Sequence, residues 1–147
     1  MSHLVIPATI NDLPIIFDLF EKAIQYQKSN EYIGWNSYDK NFIKVDIKQG
    51  LLYKIISGDS VLCIFSVCYT DKLIWREREK GDAIYLHRIV LNREFQGLKM
   101  FRAVLYWAIK QVRDQSLRYV RMDTWAGNVK LISFTAIDKT RECVLIT

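Results

Sequence analysis

The stretch "AIYLHRIVLNREFQGLKMFRAVLYWAIKQVRDQSLRYVRMDTW" constrains the fold more than any other part of the chain. Its opening, "DAIYLHRIVL" with the preceding aspartate, is rich in Ile, Val and Tyr and predicts a strand. From about Leu98 to Arg113, residues Leu98, Phe101, Val104, Leu105, Ala108, Ile109 and Val112 recur at helical spacing. Arg102, Lys110 and Arg113 lie off that stripe, so the segment reads as an amphipathic helix. "LRYVRMDTW" predicts the next strand. Two strands joined by a helix within roughly 35 residues form a βαβ unit, whose strands run parallel.

The flanking segments add antiparallel pairing. "LVIPA" reads as a short strand, and Pro7 favours an edge position because it cannot donate to a ladder. "TINDLPIIFDLFEKAIQYQ" starts with capping residues and carries Ile15, Ile16, Leu19, Phe20, Ala23 and Ile24 at helical spacing. "NEYIGWNSYD" reads as an aromatic loop and "YDKNFIKVDIKQG" as a shorter helix closed by Gly50. "LLYKIIS" and "SVLCIFSVCYT" flank a Gly-Asp pair, which predicts a hairpin with a two-residue turn. Past the last long strand, "GNVKLISF" reads as a short helix and "ECVLIT" as a final strand. The expected fold class is therefore α/β: a mixed, mostly antiparallel sheet with a central parallel βαβ unit and helices on both faces. With no repeat, linker or low-complexity tract, residues 1–147 are expected to form a single domain.

Composition excludes several classes of function. Basic residues outnumber acidic ones, 21 to 16, but they are dispersed. The one dense run, Arg76 to Asp82, mixes both signs and reads as a solvated loop, so a nucleic-acid partner is not expected. The three cysteines, Cys63, Cys68 and Cys143, lack metal-ligand spacing, and their odd number argues against a disulfide framework. They read as core or surface thiols of a reducing compartment. The first residues lack the pattern of a secretory signal, and the longest uncharged apolar run is too short to span a bilayer. A cytoplasmic protein with no membrane partner is expected. No serine-histidine-aspartate arrangement, phosphate loop or dinucleotide fingerprint stands in the sequence.

A strand running into a helix leaves the first amides of that helix without intrahelical partners, and with the helix dipole they suit an anion such as phosphate. Here the connecting turn, "NREFQGLKMF", contains one glycine. The order of elements and two motifs resemble the GNAT superfamily of N-acetyltransferases over nearly the whole chain up to about Phe134. In that family the strand is followed by Arg/Gln-x-x-Gly-x-Gly/Ala at the start of a long helix. Gln96 matches the first position, Lys99 stands at the glycine, and Phe101 at the last Gly/Ala. Asn128, Leu131 and Phe134 match the start of the family's following helix.

The resemblance implies an acetyl-CoA cleft between two splayed parallel strands. Gln96, Gly97, Leu98, Lys99, Met100 and Phe101 would then cradle the pyrophosphate, with backbone amides of residues 97 to 101 as donors, and Asn128 would join them. Glycine in such a turn serves either a left-handed backbone or the close approach of a ligand. A left-handed residue is not needed in the first turn of a right-handed helix, so close approach is the expected role at positions 99 and 101. Lys99 then either adds charge beside the phosphates or faces solvent, and Phe101 falls on the apolar stripe as a core residue.

Acetyl transfer to an amine requires removal of a proton from the amine, stabilisation of an oxyanion and protonation of the leaving sulfur. The family usually meets the second requirement with backbone N–H of the strand before the turn, here Ile89, Val90 and Leu91. His87 lies on that strand and titrates in the useful range, so it is the candidate base, against the alternative of a packed strand histidine. Asp123 stands at a comparable level of the parallel strand and could orient it, or could cap the following turn. Tyr85 shares the face of His87, since residues two apart in a strand point the same way. It is the candidate acid, because Thr135 stands where the family has a tyrosine. Residues 135–147 read as an atypical tail. Tyr32, Trp35 and Tyr38 of the aromatic loop would cover the acceptor, or form a lid on the core. The expected activity is transfer from acetyl-CoA to a primary amine of a small molecule or peptide by direct attack in a ternary complex. The alternative is a catalytically impaired module on the same fold that binds CoA or a partner. An exposed edge near the altered tail is compatible with a homodimer.

Overall fold

The computed structural model describes residues 3–29, 38–95, 99–123 and 143–146. Among the described residues six strands and four α-helices follow in the order β1 (Leu4–Pro7), α1 (Leu13–Ser29), α2 (Lys40–Lys48), β2 (Leu52–Ser57), β3 (Ser60–Cys68), α3 (Lys72–Trp75), β4 (Ala83–Leu91), α4 (Met100–Asp114), β5 (Tyr119–Asp123) and β6 (Cys143–Ile146). The chain packs as two compact units, one of Met1–Ser66 and Arg88–Phe101, the other of Val67–His87 and Arg102–Thr147. Strands β3 and β4 and helix α4 each contribute to both.

In the first unit β1 pairs antiparallel with β2, from Leu4↔Ile56 to Pro7↔Tyr53. Pro7 is the last residue of an edge strand, where a missing donor costs little. β2 and β3 close the expected hairpin at Ser57↔Ser60. Gly58 has a φ of 58° and Asp59 a negative one, the pattern of a type II′ turn. Helix α1 follows a capping box in which the Thr9 N–H donates to Asp12 Oδ2 at 2.7 Å. Helix α2 starts at Asp39, whose Oδ1 accepts from the amides of Asn41 (2.9 Å) and Phe42 (3.2 Å). These caps aim Ile16, Leu19 and Phe20 of α1 and Ile43 of α2 at Leu52, Ile64 and Val90 on the strands, forming one buried cluster.

In the second unit β4 and β5 are parallel, with Ala83↔Tyr119, Ile84↔Val120 and Tyr85↔Arg121 in register. The βαβ unit is thus as the apolar spacing predicts. Val104, Leu105, Ala108, Ile109 and Val112 of α4 are all buried. The helix ends with left-handed Ser116, whose N–H donates to the Arg113 carbonyl (3.3 Å) while Leu117 N–H reaches Val112 (2.8 Å). That is a Schellman stop made without glycine. β6 pairs with β5 in parallel, from Val120↔Cys143 to Asp123↔Ile146, so "ECVLIT" does supply a strand. β3 and β4 run antiparallel: the Asn92 N–H bonds the Leu62 carbonyl near one end, and Cys68 faces His87 near the other. The mixed α/β sheet has the expected class.

One local expectation is corrected. Helix α4 begins at Met100 rather than Leu98, because Lys99 is left-handed and cannot join a right-handed helix. The charged run Arg76–Asp82 is largely exposed, as expected. The α3 turn just before it buries Trp75, and the guanidinium of Arg78 lies 5.2 Å from that ring. The "GNVKLISF" helix, Asn128, Leu131, Phe134 and Thr135 lie outside the described residues.

Candidate functional site

β4 changes character at Arg88. Its φ of 49° places a left-handed residue inside a strand, which breaks the pleat and re-aims the groups that follow. The recorded ladder with β5 ends at Tyr85↔Arg121, before this point. The Arg88 side chain is held by two partners from α2: the ring of Phe42 at 4.0 Å and the carboxylate of buried Asp46 at 3.3 Å. Beyond it Ile89 is half-buried, Val90 is buried and Leu91 is exposed. The turn then opens with Asn92, whose Oδ1 accepts from Glu94 N–H at 3.1 Å and whose Nδ2 donates to Val61 at 2.8 Å. Arg93 stacks on the Tyr26 ring at 3.4 Å. Gln96, Gly97 and Leu98 lie outside the described residues.

Lys99 is exposed and has a φ of 54°, directly before α4. The backbone therefore does adopt, at position 99, the left-handed conformation that glycine favours. The expectation that only close approach mattered there is corrected by this torsion. Phe101 is helical and half-buried, so no left-handed residue is needed there. Met100, the first helical residue, is buried and anchors the helix start. The amides of a helix beginning there point toward the turn and favour an anion.

His87 lies one residue before the break in β4, and its surroundings come from β3 and the following turn. Cys68 Sγ is 3.1 Å from His87 Nε2, within hydrogen-bonding distance. Asp71 Oδ2 is 3.9 Å from the same nitrogen. Asp71 is fixed in turn by Glu79, whose Oε1 accepts from Asp71 N–H and whose Oε2 accepts from Gly81 N–H at 2.8 Å. Burial pushes the Glu79 carboxyl up. Hydrogen bonds from Tyr85, Gly81 and Asp71 and the charge of Arg121 outweigh this and hold it below its usual range. By extension of the β4–β5 register Asp123 is level with His87, though its side chain lies outside the described residues. The carboxylate that the described structure brings to His87 is Asp71.

Tyr85 sits differently from the accessible acid expected of it. It is fully buried, and its hydroxyl accepts from Arg121 Nη1 at 3.0 Å and donates to Glu79. Burial, with the Glu79 hydrogen bond, pushes the phenol up to about 12. Releasing the proton of a phenol so enclosed would leave an anion out of reach of solvent. Tyr38 is likewise tied down. Its ring stacks on Phe20 at 5.1 Å and its hydroxyl donates to Glu21 at 2.8 Å, and burial with this bond pushes it up to about 12. It packs as a lid on α1, while Tyr32 and Trp35 lie outside the described residues.

Cys68, Asp71, Glu79 and Arg121 were not legible as a group from the sequence. Asp71 and Glu79 belong to a charged, non-periodic turn, and Cys68 meets His87 only through the pairing of β3 with β4. No group of three or more potential metal ligands exists among the described residues, and none of their helices is long and apolar enough to cross a membrane.

No protein-family model matches the chain. Among curated proteins it is similar to an uncharacterised N-acetyltransferase, YesJ, of Bacillus subtilis strain 168, with 24% identity over 136 residues, covering 87% of this chain and 76% of that one. Among solved structures it resembles a GNAT-family acetyltransferase from Listeria monocytogenes with a TM-score of 0.80 and 22% identity, over 92% of this chain and 84% of that one. A PaiA N-acetyltransferase from Thermoplasma acidophilum, crystallised in complex with coenzyme A, gives a TM-score of 0.73 at 15% identity, over 94% and 89% of the two chains.

Proposed function

From the premise that this chain has the fold of the GNAT N-acetyltransferases, we propose that it transfers an acetyl group from acetyl-CoA to a primary amine of a small molecule or peptide. The observation that carries the reading is left-handed Lys99 at the mouth of α4. Position 99, where the family's motif has a glycine, adopts the left-handed backbone that glycine favours. A residue held there against its intrinsic preference argues that the turn's shape is needed. Amides at the start of α4 would hold the pyrophosphate, with Lys99 supplying charge. The coenzyme A bound to the Thermoplasma neighbour supports the same class of ligand.

In this proposal the amine and the thioester meet in one ternary complex. His87 accepts the proton of the attacking amine, and Asp71 stabilises the imidazolium that forms. Backbone N–H groups of Ile89 to Leu91, re-aimed by the left-handed Arg88, face the developing oxyanion. As the C–S bond breaks, the CoA thiolate takes a proton, which the His87 imidazolium can return to it. That assignment needs no tyrosine at position 135 and leaves Tyr85 to packing.

Titration calorimetry with acetyl-CoA tests the proposal, with saturable binding at micromolar concentration as the expected outcome. A folded sample that takes up no acetyl-CoA at high micromolar concentration would exclude it. Binding without thioester consumption across a mixed amine panel would instead make the chain a CoA-binding module.

A further inference from the structure

We propose that Cys68 is a nucleophilic thiol, activated by His87, that exchanges with low-molecular-weight disulfides. The two described cysteine side chains differ sharply. Cys63 is wholly buried, and burial pushes its thiol up to about 12, so it is inert. Cys68 is partly exposed at the end of β3, with its sulfur 3.1 Å from His87 Nε2 and 3.3 Å from the Thr70 carbonyl. The Asp71 carboxylate stands 3.9 Å from that same Nε2. A thiol beside an imidazole, with a carboxylate to favour the imidazolium, is the arrangement that stabilises thiolate and raises its reactivity.

In the exchange the proton passes from Sγ to His87 Nε2, and the thiolate attacks one sulfur of the disulfide. A bond forms between Cys68 and that sulfur while the original S–S bond breaks. The other half leaves as a thiolate and takes the proton from the imidazolium. Cys68 is oxidised and the small disulfide is reduced, so no further reagent is needed. The inference concerns the thiol and its neighbours and does not rest on acetyl transfer. If His87 serves as base, the adduct would also obstruct it.

The test is incubation of the full, reduced chain with glutathione disulfide at pH 6, followed by mass mapping of the peptides that contain Cys63, Cys68 and Cys143. At that pH an ordinary thiol is almost wholly protonated, so Cys68 should react about tenfold faster than an unstructured cysteine peptide. Cys63 should stay unmodified. His87→Gln should abolish the gain, and Asp71→Asn should reduce it. Protection of Cys63 reports that each variant remains folded. If His87→Gln unfolds, the wild-type rate against the peptide decides alone. A Cys68 no faster than the peptide, or a folded His87→Gln variant as fast as wild type, overturns the proposal.

Discussion

Arg121 Nη1 donates to the Tyr85 hydroxyl at 3.0 Å although both side chains are buried, and the guanidinium lies 4.5 Å from the centre of the Trp75 ring. A second bond from Nη1 reaches the Arg78 carbonyl at 3.1 Å, and the charge is answered by Glu79. Burying a guanidinium is costly unless its hydrogen bonds and counter-charge are supplied. Here one arginine ties β5, β4 and the α3 turn together.

Arg121→Ala should therefore destabilise the chain by about 2–5 kcal/mol, because it takes the donor from the Tyr85 hydroxyl and the Arg78 carbonyl and empties the space between three aromatic rings. Arg121→Met keeps the apolar stem and should lose less. Urea unfolding measures both. A loss below about 1 kcal/mol for Arg121→Ala would show that the cluster carries no such weight.

Lys99→Gly should raise stability by about 1 kcal/mol, since glycine occupies the left-handed region without the Cβ penalty. Lys99→Ala should give no such gain. Thermal denaturation distinguishes the two. If glycine and alanine behave alike, position 99 is not held in that conformation in solution.

The two enclosed tyrosines set an alkaline limit. Tyr38 and Tyr85 have folded values raised to about 12 from the ordinary 10.0, so the native state keeps protons that the unfolded chain loses. Their contribution to stability is fully present below pH 10 and falls as pH rises toward 12. In an ultraviolet titration Tyr38→Phe and Tyr85→Phe should each remove one late-ionising phenol. Acid acts oppositely. Burial tends to raise the carboxyls of Asp12 and Glu79, but their hydrogen bonds, including that of Lys54 to Asp12, leave both below their ordinary values of 3.8 and 4.5. The stability they contribute is present above those values and is lost as pH falls through the lowered ones. Asp12→Asn should flatten the melting temperature in that acidic range.

His87→Gln should lower kcat/KM for acetyl transfer by about 100-fold or more, the usual scale for a missing general base. Asp71→Asn should leave acetyl-CoA affinity unchanged. It should also move the acidic limb of the pH–rate profile to lower pH, because the imidazolium loses its counter-charge. A profile that stays in place would remove Asp71 from the proposed mechanism.

Much of the fold was legible from local patterns, because these depend on spacing alone. The α4 stripe from Val104 to Val112, the Gly58–Asp59 turn and the capping residues ahead of α1 all read directly from residue type and period. The candidate site was legible only in outline. His87 stood out as a rare residue on the right strand, whereas its neighbours did not, since Asp71 and Glu79 occupy a mixed-charge turn whose path no periodicity fixes.

The sequence by itself determined the alternation of elements, the parallel βαβ unit and the identity of the strand and turn where an anion could sit. Those follow from which residues can share one face of a helix or strand. Tertiary structure alone decided that Lys99 is left-handed, that Tyr85 is sealed behind Arg121, and that His87 faces Cys68 and Asp71. Backbone torsion at one residue and contact across strands depend on the register between distant segments. No local pattern encodes that register, because it is set by the packing of the whole sheet.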